Sequence, residues 1–181
     1  MDFSKLIAIR QSVRRYEDKP VEEEKLNLLI EAVRLAPSAS NSQPWKLIIV
    51  NDPVLKTRVA KSTFSALISF NKFSVQAPIL AVLVIEKPKM ITQIGGKLKN
   101  REFSLIDIGI AAEHFCLQAA DLGLGTCMLG WFDETAIKQL LHIPDQKRIG
   151  LVITLGYAKK DDVLRKKNRK SLEEMCHYNR Y

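Results

Sequence analysis

The sequence predicts an α/β or α+β sheet protein, with helices mixed among three or four apolar strands. Three observations lead there. Apolar runs of strand length at residues 47–50, 79–85 and 149–155 are separated by amphipathic helical patterns. Strands and helices do not alternate with the regularity of a dinucleotide-binding domain. Nor is there a Gly-x-Gly-x-x-Gly fingerprint, because Gly123, Gly125 and Gly130 follow a helical stretch instead of joining a strand to a helix.

Taken in order, Phe3, Leu6 and Ile7 predict a short first helix. Residues 22–35 carry Leu26, Leu29, Ile30 and Val33 at helical spacing, with Glu22, Glu23 and Glu24 placed to favour the N-terminal dipole. Pro37 ends that helix. A strand at 47–50 is closed by Asn51, Asp52 and Pro53, and another helix follows to Lys61. Residues 62–76 read as helical without a clear face. The strand at 79–85 lies between Pro78 and Pro88, and residues 88–102, with Gly95, Gly96 and several lysines, read as a mobile surface excursion and candidate lid. From 105 to 122, Leu105, Ile108, Ala111, Ala112, Phe115, Ala119 and Leu122 form an apolar face with small side chains, suited to a core helix or a dimer contact. Gly123 and Gly125 end it, Asp133 caps a helix through Leu141, and Ser171 with Glu174 reads as a capping box.

Length and composition set outer bounds. At 181 residues and 46% hydrophobic content, the chain is expected to form one domain over 1–181, with a C-terminal arm at about 158–181. The apolar run at 79–85 is far shorter than the ~20 residues that span a bilayer, and no signal-like segment opens the chain, so a soluble cytoplasmic protein is expected. Cys116, Cys127 and Cys176 form no Cys-x-x-Cys pair, and His114, His142 and His177 have no ligand-like spacing; neither a disulfide framework nor a metal site is expected. The net charge of +8 is concentrated at Lys159, Lys160 and residues 165–170. No aromatic residue interleaves that cluster, which favours a solvated arm or a dock for an anionic cofactor over a nucleic-acid site.

Two motifs carry the chemistry. Arg10, Ser12 and Arg14 are spaced by two, so in an extended segment they share a face with two cations and a hydroxyl, while Arg15 points away. The guanidinium fork suits phosphate oxygens and cannot lose its charge. The second motif, Pro37-Ser-Ala-Ser-Asn-Ser-Gln-Pro-Trp45, is bracketed by prolines and rich in residues that bond their own backbone, so it predicts a structured loop at the mouth of the sheet. Ser38, Ser40, Asn41 and Gln43 are able to read the polar edge of a planar ring.

Arg-x-Ser-x-Arg followed by Pro-Ser-x-x-Asn-x-Gln-Pro-Trp resembles the nitroreductase family of FMN-dependent oxidoreductases. Later signposts run in matching order: Val84-Ile85, the helix from about Leu105, the stretch from Gly123 to Phe132, Thr154-Leu-Gly-Tyr157, and Arg169. The resemblance implies an α+β fold, with an α/β-type mixed sheet flanked by helices, in an intertwined homodimer with FMN at the subunit interface. By it, Arg10, Ser12 and Arg14 match phosphate and ribityl ligands, with Arg14 also near the N1–O2 edge, and Arg169 adds a phosphate contact. Lys167 is a weaker candidate for the same role. Pro37, Ser38, Asn41 and Gln43 match a partner-facing loop around the ring, Asn71 a pyrimidine-edge ligand, and the backbone of Leu129 and Gly130 the N5–O4 position. The implied activity is ping-pong reduction of nitroaromatics, quinones or a related small conjugated acceptor by NADH or NADPH. Flavin N5 would carry the hydride, with no dedicated catalytic side chain. Substrate choice would rest with residues 88–102 and with Trp131 and Phe132. A flavin-binding protein that stores, senses or degrades FMN is the alternative.

Overall fold

The computed structural model describes residues 2–181, apart from the side chain of Lys97. Seven helices are assigned: α1 (Phe3–Ile9), α2 (Glu23–Arg34), α3 (Pro53–Lys61), α4 (Met90–Lys99), α5 (Phe103–Asp121), α6 (Glu134–Leu141) and α7 (Leu172–Met175). Four strands, β1 (Trp45–Val50), β2 (Ile79–Ile85), β3 (Gly125–Leu129) and β4 (Arg148–Gly156), form one sheet in the order β1-β2-β4-β3. All three ladders are antiparallel. The four-stranded sheet is therefore antiparallel, and a parallel pairing lies outside it as an isolated bridge, Ser12 to Thr126, where the N-terminal segment lies along β3.

Alternation along β2 explains the two-layered core. Ile79, Ala81 and Leu83 face α2 and α5, while Leu80, Val82 and Val84 face α3, α6 and the 3₁₀ turn Lys72–Gln76. With helices on both faces, β2 reads as an unbroken apolar run despite its antiparallel neighbours. On the α5 side, Ala111, Ala112 and Ala119 allow close approach, and Phe115 is wholly buried. Such a ring contributes roughly 1.5–3 kcal/mol through burial.

The local signals act as expected at several ends. Asp2, Asp52 and Asp133 accept from the amides of Lys5, Leu55 and Ala136, capping α1, α3 and α6. Ser171 and Glu174 close the reciprocal box at α7. Two segments differ from the sequence reading. Residues 62–76 are turns ending in the 3₁₀ helix, because Thr63, Asn71 and Ser74 spend their side chains on main-chain and hydroxyl partners that compete with a helical ladder. Residues 88–102 contain the ten-residue helix α4, which presents Met90, Ile91, Ile94 and Leu98 outward.

Candidate functional site

The first motif is held in place mainly by its backbone. After α1 ends at Arg10, the Val13 amide donates to the Thr126 carbonyl at 2.8 Å and the Tyr16 hydroxyl donates to the Val13 carbonyl at 2.9 Å. Val13 packs so closely over Gly125 that a Cβ there would stand 2.6 Å from its methyl, which is why the β3 entrance needs glycine. With Val13 turned inward, its neighbours are left outside: Arg14 is exposed, and its guanidinium lies 6.0 Å from the Phe73 ring. Arg15 points elsewhere and pairs with Asp161 at 2.8 Å.

The C-terminal arm then crosses this segment. Lys167 donates to the Arg10 carbonyl at 2.5 Å, Arg165 donates to the Ser12 carbonyl, and Gln11 bonds both the Val163 carbonyl and the Arg165 amide. Cations thereby collect at one edge of the sheet. Burial holds the Lys167 ammonium below its ordinary value, and the charges of Arg10 and Arg169 lower it further. Burial pushes the Cys127 thiol up, while Arg14, the Ser12 hydroxyl, Arg165 and Arg10 pull against it. Two carboxylates offset part of the charge: Glu113 lies 3.4 Å from Arg10, and Asp162 pairs with Arg165 at 2.7 Å. The structure thus places Arg10, Ser12, Arg14 and Arg169 together, and adds Arg165, which the sequence reading passed over. Arg165 falls three residues after Asp162, an i,i+3 ion pair that a charge-pattern scan would have found.

Next to this edge, Asn71 is buried and donates to the carbonyls of Thr63 and Trp131, each at 3.1 Å. Both bonds of its nitrogen are thereby committed to the main chain. The bond to Trp131 also fixes the chain after Leu129 and Gly130. Leu129 is buried at the end of β3, Gly130 and Trp131 are exposed, and Phe132 is half-buried.

The second motif lies elsewhere. It enters β1, the opposite edge strand, and Trp45 sits in the register row of Ile85, whereas Ser12 sits in the row of Thr126, Leu155 and Ile79. At about 4.8 Å between strands and about 3.3 Å per residue, Ser12 and Trp45 occupy corners roughly 25–30 Å apart. Within the loop, Ser40, Asn41 and Gln43 all have left-handed φ near +50°. Such conformations are costly for residues with a Cβ, least so for Asn, and persist where side chains enforce them. Ser38 Oγ accepts from the Gln43 amide at 2.8 Å, and Gln43 Nε2 donates to Asn41 Oδ1 at 2.8 Å. Pro37 is exposed beside them.

Other chemistry is sparse. Among the described residues no group of three or more His, Cys, Asp or Glu is arranged to hold a metal ion, and no helix is long and apolar enough to cross a membrane. Cys116 is pushed up to about 12 by burial, which keeps it a thiol at neutral pH.

Comparisons with known proteins bear on the family and the fold. The family profile described as the nitroreductase family matches residues 7–157. A protein of Archaeoglobus fulgidus, named for NADH dehydrogenase or NAD(P)H nitroreductase, is 30% identical over 159 residues, covering 86% of this chain and 84% of its own. The crystal structure of a nitroreductase family protein from Clostridium novyi NT superposes with a TM-score of 0.79 at 32% identity, over 88% of this chain and 87% of that one. An FMN-dependent nitroreductase from Clostridium difficile shares the fold with a TM-score of 0.74 at 24% identity, covering 97% of this chain and 98% of its own. The chain belongs to the nitroreductase family.

Proposed function

We propose that this chain is an FMN-dependent oxidoreductase that works as a homodimer, using NADH or NADPH to reduce a small conjugated acceptor such as a nitroaromatic or a quinone. The observation that carries the reading is the cation cluster at the β3 edge. Lys167 and Arg165 reach the carbonyls of Arg10 and Ser12, Arg10 and Arg169 stand close enough to Lys167 to add to the lowering that burial causes, and a bound phosphate would relieve that repulsion. The donor set therefore fits the phosphate end of FMN.

When bound, FMN supplies two-electron exchange with the donor and the acceptor in alternating half-reactions. The chain supplies the rest. Arg10, Ser12 and Arg169, assisted by Lys167 and Arg165, would hold the phosphate and ribityl end. Arg14, on the same face and over Phe73, would stabilise negative charge at the N1–O2 edge. Asn71 would meet the pyrimidine edge through its oxygen, and the backbone of Leu129 and Gly130 would face N5 and O4. Because Ser12 and the Pro37–Gln43 stretch stand at opposite corners of one sheet, the loop residues Pro37, Ser38, Asn41 and Gln43 would come from the partner subunit. That distance is the argument for two chains per site.

An absorption spectrum of the purified protein, before and after anaerobic NADH or NADPH, tests the proposal. Flavin bands that bleach, with FMN as the released cofactor, are expected. Bands that persist would favour a protein that stores, senses or degrades flavin, and a colourless protein that refuses added FMN would overturn the reading.

A further inference from the structure

The loop from Ser38 to Gln43 is gripped from beneath by two buried polar side chains on two different helices. Asp107, on α5, is 3% exposed, and its Oδ1 accepts from the Ala39 amide at 3.1 Å. Thr92, on α4, is 5% exposed and shares a hydrogen bond with Ser42 Oγ at 2.7 Å, with the Ala39 carbonyl at 3.4 Å. Lys89 adds a contact to the Ser40 carbonyl at 3.4 Å. Asp107 is an unlikely residue for its place: it lies one turn before buried Ala111 on the apolar face of α5, and among the described residues its Oδ2 is buried without a hydrogen-bond partner. A core position that keeps a carboxylate so poorly compensated is doing something an apolar residue would not.

Resting on the FMN reading above, we infer that Asp107 is a positioning residue for the reaction, holding the loop in its left-handed path so that Asn41 and Gln43 present their amides to the ring edge. Thr92 is its companion on α4. Three successive features depend on the anchor at Ala39: the 3₁₀ turn Ala39–Asn41, the left-handed Ser40, Asn41 and Gln43, and the Asn41–Gln43 side-chain bond. With the Ala39 amide freed, the loop has fewer bonds to oppose its strained angles and relaxes toward ordinary backbone. Because Thr92 belongs to α4, the same grip couples the loop to the helix that carries Met90, Ile91, Ile94 and Leu98 on its outer side.

The test compares wild type, Asp107→Ala, Asp107→Asn and Thr92→Val by amide hydrogen exchange of the full chain, and by flavin spectrum and acceptor kinetics of the FMN-loaded protein. Asp107→Ala is expected to raise exchange at Ala39 and across residues 39–43 at least tenfold, to shift the flavin band, and to raise the acceptor KM more than it lowers kcat. Exchange in the core of α5 should hold. Asp107→Asn keeps an acceptor oxygen for Ala39 and should restore most of each property. Thr92→Val, which deletes only the hydroxyl, should move the loop in the same direction by a smaller factor, and it carries the test should Asp107→Ala fail to fold. Unchanged loop exchange in the variants that fold would overturn the inference. Faster loop exchange with a wild-type flavin band and KM would overturn the positioning role while leaving FMN binding intact. A wild-type chain that takes up no FMN would instead defeat the proposed function, and the positioning role with it.

Discussion

The Arg10–Arg14 segment and the Ser38–Gln43 loop were equally visible as motifs, yet the chain builds them by opposite means. The first is a short parallel extension of β3, tied by main-chain bonds and then covered by an arm from the far end of the chain. Arg14 is left to reach outward because the backbone does the holding. The second has no strand partner. Side chains hold it, both its own Ser38, Asn41 and Gln43 and the buried Asp107 and Thr92 beneath. Electrostatics therefore dominate at one corner and conformational strain at the other, and substitutions at the two should fail differently.

The largest expected effect falls on the cation corner. Replacing both Arg10 and Arg169 by alanine should cost about 1.5–3 kcal/mol per charge-assisted contact, weakening FMN binding on the order of a hundredfold or more. Equilibrium flavin titration at two salt concentrations measures it; unchanged affinity in the double variant would break the assignment of this corner. Between the corners, Asn71→Ala should lower unfolding stability by about 2–3 kcal/mol, because two main-chain carbonyls lose their donor. Denaturant melts of the apoprotein read that cost without reference to any ligand. At the strained corner, Ser38→Ala removes the acceptor for the Gln43 amide and should cost only about 1 kcal/mol in the same melt. Its signature should be faster amide exchange at Gln43, an effect the Arg10 variant should lack.

The smallest effect concerns pH and the root of the arm. The Tyr157 hydroxyl donates to Glu22 at 2.6 Å and holds that carboxyl below its ordinary value of 4.5. A lowered folded-state value means a contribution present above pH 4.5 and lost as pH falls through the folded value. Glu22→Gln should remove a small stabilisation at neutral pH and flatten the profile below about pH 4.5 by the same small amount, since the group is exposed. A profile as steep as wild type would remove Glu22 from the account.

Much of this was legible in the residues because local rules and tertiary needs coincide. Pro53, Asp133 and Ser171 mark helix starts by chemistry that acts within one turn. The unbroken apolar run at 79–85, bounded by prolines, likewise speaks without distant help. The stretch at 62–76 misled because its apolar residues suggest a helix while Thr63, Asn71 and Ser74 bond across the turn instead. Asp107 was hidden for a related reason: in sequence it is one polar residue in an apolar helix, and only the fold brings Ala39 to it across 68 residues. The diagonal separation of the two motifs was likewise invisible, since it depends on strand order and register.

The arm that crosses the first motif joins residues 153 and 157 positions apart, Ser12 with Arg165 and Arg10 with Lys167. Chains grow from the N-terminus, so Arg10 must wait for the synthesis of Lys167 before the two can stand side by side. The sheet and both helical layers can assemble on the emerging polypeptide, but the cation cluster beside Arg10 closes only once residues 165–169 have been made. On the function proposed above, cofactor loading would follow the arm, and a chain cut short before Arg165 would be a body without its clasp.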